Sequence, residues 1–94
     1  MLSDIPKSLE KVSDEDLDKE ILRAAVIAEF DAISLYEQLA AMTKNGDIKK
    51  VLFDIAKEEK THSGEFGELL KRFDVEYSEE LEAGKKEVEE MIDG

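Results

Sequence analysis

Residues 48–73 read IKKVLFDIAKEEKTHSGEFGELLKRF, and the fold turns on how they are spaced. Ile48, Leu52, Ile55, Glu59, His62, Phe66, Leu69 and Phe73 recur in alternating steps of four and three, the a/d rhythm of a helix packed against other helices. Two consecutive positions of this otherwise apolar seam hold a carboxylate, Glu59, and the single histidine of the chain, His62. An unpaired carboxylate in an apolar seam is costly. A divalent metal would compensate it, and mixed carboxylate and imidazole ligation suits a transition metal.

The preceding segment carries a second seam, Leu22, Ala25, Glu29, Ala32, Tyr36 and Leu39, again in steps of three and four. Glu29 takes a core position here, and Tyr36 follows on the same face two turns later, about 10.5 Å along the axis. Ala24, Val26, Ile27, Ala28, Phe30 and Ile33 make this helix apolar around most of its circumference. Such a helix is surrounded by protein, and a single hairpin cannot surround it, so partner chains are implied.

The boundaries follow from local chemistry. Ser13 and Asp16 resemble a capping box that opens a helix running to about Thr43. Asn45-Gly46 is a stop signal, and Asp47 is expected to cap a second helix over 48–73. The pattern breaks over 74–78. Ser78 is expected to cap a short third helix over 79–92, with Leu81, Val88, Met91 and Ile92 along one side. Residues 1–13, which include Pro6, read as an N-terminal arm, and residues 14–94 as one helical domain. The expected class is all-α: an antiparallel helical hairpin plus a short C-terminal helix.

Folding the hairpin brings the polar seam residues together. Glu29 and His62 are equally far from the turn centre between Asn45 and Gly46, and Glu59 is about one turn nearer to it. One chain therefore offers two carboxylates and one imidazole to one interior. A two-metal carboxylate site in a four-helix bundle needs a Glu from each of two helices and Glu-x-x-His from each of the other two, twice what this chain carries. A two-fold axis beside the seam would complete the set, so a dimer forming a four-helix bundle with the metals at its interface is expected. Without metal the four glutamates would repel one another and resist ionisation.

Plainer readings compete at each position. His62 could be a hydrogen-bonded core histidine, and Glu29 could pair with Arg23 or a lysine. Tyr36 could be core packing with its hydroxyl bonded. Glu58 falls off the seam and reads as surface. Phe30, Phe53, Phe66 and Phe73 read as core or interface.

Composition bounds the remainder. The net charge of −12 disfavours nucleic acid and anionic membranes and favours cations. The absence of cysteine excludes disulfides, zinc thiolates and iron–sulfur clusters. The first residues show no apolar signal core, and no apolar run approaches the roughly 18 residues of a membrane span, so a cytoplasmic location without a membrane partner is expected. A chain of 94 residues buries only about two thirds of its unfolded surface, which association would improve.

The stretches Ala28-Glu29-Phe30-Asp31-Ala32-Ile33-Ser34-Leu35-Tyr36-Glu37-Gln38 and Ala56-Lys57-Glu58-Glu59-Lys60-Thr61-His62 resemble the ferritin-like superfamily, in particular the encapsulated ferritins. The resemblance covers about residues 15–75. It implies a ferritin-like four-helix bundle formed by two chains, with iron bound between them as a di-iron centre. Glu29, Glu59 and His62 would be the metal ligands and, together with Tyr36 in contact with the metal or its ligand shell, the catalytic residues. It implies Fe(II) oxidation by O2, a homo-oligomer built from dimers such as a decameric ring, and residence inside an encapsulin shell. Some members carry acidic residues beside the ligand Glu that guide metal inward. Here Ala28 precedes Glu29, and Asp31 is the residue to which such a secondary role would fall. No targeting peptide is evident in Glu89-Glu90-Met91-Ile92-Asp93-Gly94, and a domain fused to its shell protein is one expectation. Two other functions fit the same scaffold: a rubrerythrin-like peroxide reductase with an external electron donor, and a non-enzymatic, metal-bound oligomerisation or cargo domain.

Overall fold

A computed structural model describes residues 13–94. The expected arm, apart from Ser13, lies outside the described residues. Three helices follow in order, α1 (Asp14–Met42), α2 (Gly46–Phe73) and α3 (Val75–Asp93). α1 and α2 pack side by side as an antiparallel hairpin, while α3 has backbone neighbours in α2 alone. At 1.5 Å per residue α1 and α2 are each about 43 Å long. The molecule measures 46 × 45 × 19 Å, so α3 projects from the end of the hairpin and does not fold back along it. Its radius of gyration of 16.6 Å exceeds the roughly 12 Å of a compact domain of this size.

Capping chemistry differs from the expectation at three points, and at two of them the boundary moves. Ser13 is the residue before α1, but its hydroxyl donates to the Asp16 carboxylate at 3.1 Å and does not cap a backbone N–H. The second helix is capped by Asn45, whose side-chain oxygen accepts from the N–H groups of Asp47 and Ile48, both at 3.0 Å. An amide oxygen two residues before Asp47 reaches two orphan donors at once, so α2 begins at Gly46 and Asp47 becomes a first-turn acid. The break expected over 74–78 shrinks to Asp74. Asp74 closes α2 through its N–H to the Leu70 carbonyl at 2.8 Å and opens α3 by accepting from the Tyr77 N–H at 3.1 Å. Ser78 therefore lies inside α3.

The hairpin buries little of its apolar surface. Leu22, Ala40, Ala56 and Leu70 are its buried hydrophobic residues. Ala56 is 1% exposed, and its small side chain permits close approach of the two helices. The seam read along α2 divides. Leu52, Glu59 and Phe66 sit at least half-buried beside Ala56 and Leu70, whereas Ile48, His62, Leu69 and Phe73 lie on an open edge. A 3-4 apolar repeat describes a helix touching more than one neighbour, and a single hairpin covers only part of that surface. Phe30, Phe53 and Phe73 are likewise exposed on the isolated chain. Among the described residues no helix is long and apolar enough to cross a membrane.

Candidate metal centre

Glu29 stands in the middle of α1, and Glu59 and His62 stand one turn apart on α2. The antiparallel register brings one ligand atom from each to within 4.8 Å of the others. His62 Nδ1 is 3.5 Å from Glu59 Oε2 and 3.8 Å from Glu29 Oε2. Donor atoms held about 2.0–2.2 Å from one ion lie at most about 4.4 Å apart, so a small inward shift of the side chains would let all three bind the same ion.

The surroundings favour a cation. Oε2 of Glu29 is buried without a hydrogen-bond partner. The cations considered for Glu29 are engaged elsewhere. Arg23 donates to Glu20 at 2.7 Å and to Asp74 at 2.9 Å, and Lys60 pairs with Glu37 at 2.8 Å. Hydrogen bonding with the Glu59 carboxyl, then burial, then the charge of Glu59 push the Glu29 carboxyl above its ordinary pKa, while His62 pulls it down. A carboxylate with one buried, unpartnered oxygen and a raised pKa, beside a second carboxylate and an imidazole, is the environment that a divalent cation relieves.

The site is asymmetric. The side chains of Glu29 and Glu59 are 17% and 21% exposed and that of His62 is 46% exposed, so the trio opens onto the uncovered edge of the hairpin. A cleft of about 340 Å³ runs from it, lined by Glu29, His62, Glu65, Phe66 and Leu69. Glu65 was not singled out from the sequence, where it reads as one more surface acid. Its signal is the step of three from His62, which puts it on the same side of α2 one turn further on. Glu58 is exposed, as its off-seam position indicated. Tyr36 is half-buried on α1 and does not line the cleft. Asp31 is buried and lies outside the group of three.

Comparison with known proteins places this arrangement. The rubrerythrin family model matches residues 20–93. A ferritin-like-encapsulin shell fusion protein of Pyrococcus furiosus is 51% identical over 72 residues, which are 77% of this chain and 21% of that protein. An encapsulin nanocompartment cargo protein of Myxococcus xanthus is 39% identical over 66 residues, 70% of this chain and 50% of that protein. The chain thus corresponds to half or less of the length of these curated relatives. The crystal structure of the encapsulated ferritin domain from Pyrococcus furiosus superposes with a TM-score of 0.78 at 42% identity, covering 100% of this chain and 90% of that one. With the family model matching most of the chain and the crystal structure superposing over all of it, the chain belongs to the rubrerythrin family of ferritin-like proteins and is of the encapsulated-ferritin kind.

Proposed function

We propose that this chain is the iron-oxidising module of an encapsulin system, a ferroxidase whose substrate is Fe(II) and whose oxidant is O2. The observation that carries the reading is the convergence of Glu29, Glu59 and His62 at an edge that the chain leaves uncovered. A second copy related by two-fold symmetry would bring the same three groups to the opposite side. The combined four carboxylates and two imidazoles make the donor set of a two-metal carboxylate bundle. Iron bound there supplies the redox chemistry: each Fe(II) gives up one electron to O2.

The protein residues have separable tasks. His62 would be the nitrogen donor for one metal position. Glu29 and Glu59 would hold the metal pair and offset its positive charge, as terminal and bridging carboxylates between them. Cation binding needs the ionised form of Glu29, whose carboxyl is held above its ordinary pKa, so binding and proton release are linked at this residue. Phe66 and Leu69 give the cleft apolar walls. Tyr36 is proposed as a neighbour of the ligand shell and Asp31 as a residue that steers cations from behind Glu29. A small bundle cannot enclose mineral, so Fe(III) is handed to a surrounding shell. The protein is proposed to work inside an encapsulin nanocompartment in the cytoplasm, as an even-numbered homo-oligomer such as a decameric ring. The names of the Pyrococcus and Myxococcus relatives support the shell as partner.

Anaerobic Fe(II) loading followed by stopped-flow oxidation tests the proposal. About one iron per chain, and oxidation by O2 that is lost in Glu29→Ala and His62→Ala, are expected. The rubrerythrin match makes peroxide reduction the competing activity. Many turnovers of H2O2 with an added reductant, and slow reaction with O2, would favour it. Variants that keep the wild-type oxidation rate would leave a non-enzymatic domain.

A further inference from the structure

His62 stands between two glutamates of α2. Glu59 comes three residues before it and Glu65 three residues after, so at 100° per residue each lies about 60° to one side of the imidazole. Their surroundings differ. Glu59 is turned toward α1 and half-buried, whereas Glu65 lies on the open side and is exposed. Both border the metal edge, Glu59 as one of the three converging groups and Glu65 as part of the lining of the cleft that leads from them. From His62 the cleft follows α2 past Glu65 and Phe66 to Leu69, about 10.5 Å further along the axis.

Glu65 has no counter-charge. Thr61, His62, Glu68 and Leu69 stand three and four residues from it, so α2 places no lysine or arginine one turn away. The register that sets Glu29 level with His62 sets Val26 level with Glu65, and Arg23, one turn further along α1, is taken by Glu20 and Asp74. Among the described residues Glu65 makes no ion pair or hydrogen bond. The next acid, Glu68, is held by Lys71 at 3.6 Å and by Arg72 at 3.4 Å. The uncompensated charge of Glu65 is felt in the site: after Glu59 and burial, it is a further cause of the raised pKa of Glu29.

A cleft lined by one sign of charge and walled by apolar groups focuses its field and speeds the arrival of the opposite ion. Glu29 and Glu65 supply the charge here, and Phe66 and Leu69 the apolar walls. We propose that Glu65 is the loading residue of the metal edge: it captures a hydrated divalent cation in the cleft and passes it to Glu29 and His62. The role rests on Glu29, Glu59 and His62 being metal ligands. Glu65 does not belong to the group of three that converges within 4.8 Å, so it acts in transit and is not a fourth permanent ligand. Its exposed side chain is free to turn outward to solvent and inward to the trio. Asp31 points about 160° away from Glu29 round α1 and is buried, so it does not open on this cleft.

Loading with Co(II) tests this, because its binding is read from visible absorption without any oxidation. Stopped-flow mixing with excess Co(II), at protein concentrations over which the observed rate is constant, gives the association rate, and titration gives the stoichiometry. Glu65→Gln is expected to load about fivefold or more slowly than wild type, a share of the ~10-fold or greater gain that a charged cleft supplies, and to bind the same amount of metal. Added salt is expected to slow wild type and close most of that gap, because it screens exposed charges. Glu68→Gln removes an equal charge that Lys71 and Arg72 already offset, and it is expected to load at the wild-type rate. A wild-type rate in Glu65→Gln, or equal slowing in Glu68→Gln, overturns the assignment. Reduced metal content in Glu65→Gln also overturns it, since Glu65 would then be a permanent ligand. Co(II) uptake by Glu29→Ala and His62→Ala equal to wild type would overturn the ligand reading itself, and the loading role with it.

Discussion

Glu29 Oε2 and His62 Nδ1 stand 3.8 Å apart across the α1–α2 interface, although the turn at Asn45 separates them in sequence. The distance is too long for a hydrogen bond. It leaves the Glu29 oxygen buried and orphaned while the imidazole reaches towards the open edge. The predictions below follow from this pair and from the contacts that hold it in place.

Glu29→Gln should stabilise the metal-free protein and abolish its response to metal. The carboxyl of Glu29 is held above its ordinary pKa by Glu59 and by burial, so its ionised form opposes folding. Glutamine removes that charge without changing shape. Thermal melts of the metal-free variant should lie above wild type. Wild type should gain about 2.7 kcal/mol when Fe²⁺, Mn²⁺ or Zn²⁺ is at about 100 times its dissociation constant, and the variant should gain nothing. Equal metal-induced shifts in the two proteins would contradict the ligand assignment.

The pH dependence should have opposite signs with and without metal. For Glu29 the folded state binds a proton more tightly than the unfolded chain, so metal-free stability falls as pH rises from the ordinary Glu pKa through the raised one. Metal requires the deprotonated form, so metal-induced stabilisation should grow over the same interval. Melts recorded between pH 4 and pH 7 (roughly the interval above the ordinary Glu value), with chelator and with metal, would separate the two curves. Parallel curves would exclude Glu29 as the linked group.

Asp74→Ala should loosen the start of α3 and the base of the hairpin together. Asp74 caps the Tyr77 N–H and accepts from Arg23 of α1 at 2.9 Å. The Tyr77 N–H first, and Arg23 with it, hold the Asp74 carboxyl below the usual carboxylate range. A lowered acid stabilises the fold above the unfolded Asp pKa, and that contribution fades as pH falls through the lowered value. Wild type should therefore lose stability on acidification in a step that the variant lacks. Hydrogen exchange at residues 75–79 should be faster in the variant at neutral pH.

Ala56→Leu should destabilise the hairpin by about 1–3 kcal/mol, the usual penalty for forcing extra volume into a packed contact. Ala56 is 1% exposed between α1 and α2, one turn before Glu59. Separating the helices there would also pull Glu29 from Glu59, so metal affinity should fall along with the denaturation midpoint. Unchanged affinity at reduced stability would show that the metal edge adjusts independently.

The sequence determined the helices and the identity of the polar seam residues. Periodicity alone marked Glu29, Glu59 and His62, because a charge interrupting a 3-4 apolar repeat is visible without coordinates. The turn at Asn45-Gly46 then fixed their level, because helix rise is constant. Tertiary structure decided which part of the seam is covered and which is open. Along α2, Ala56 and Leu70 meet α1 while Ile48, Leu69 and Phe73 stay exposed, because the repeat encodes contact with several neighbours and cannot say which of them belongs to the same chain. It also decided that Arg23 is committed to Glu20 and Asp74, that Glu65 lines the cleft, and that Asp74 turns the chain into α3 without a loop. Those outcomes depend on distances between residues far apart in the chain, which no local pattern carries.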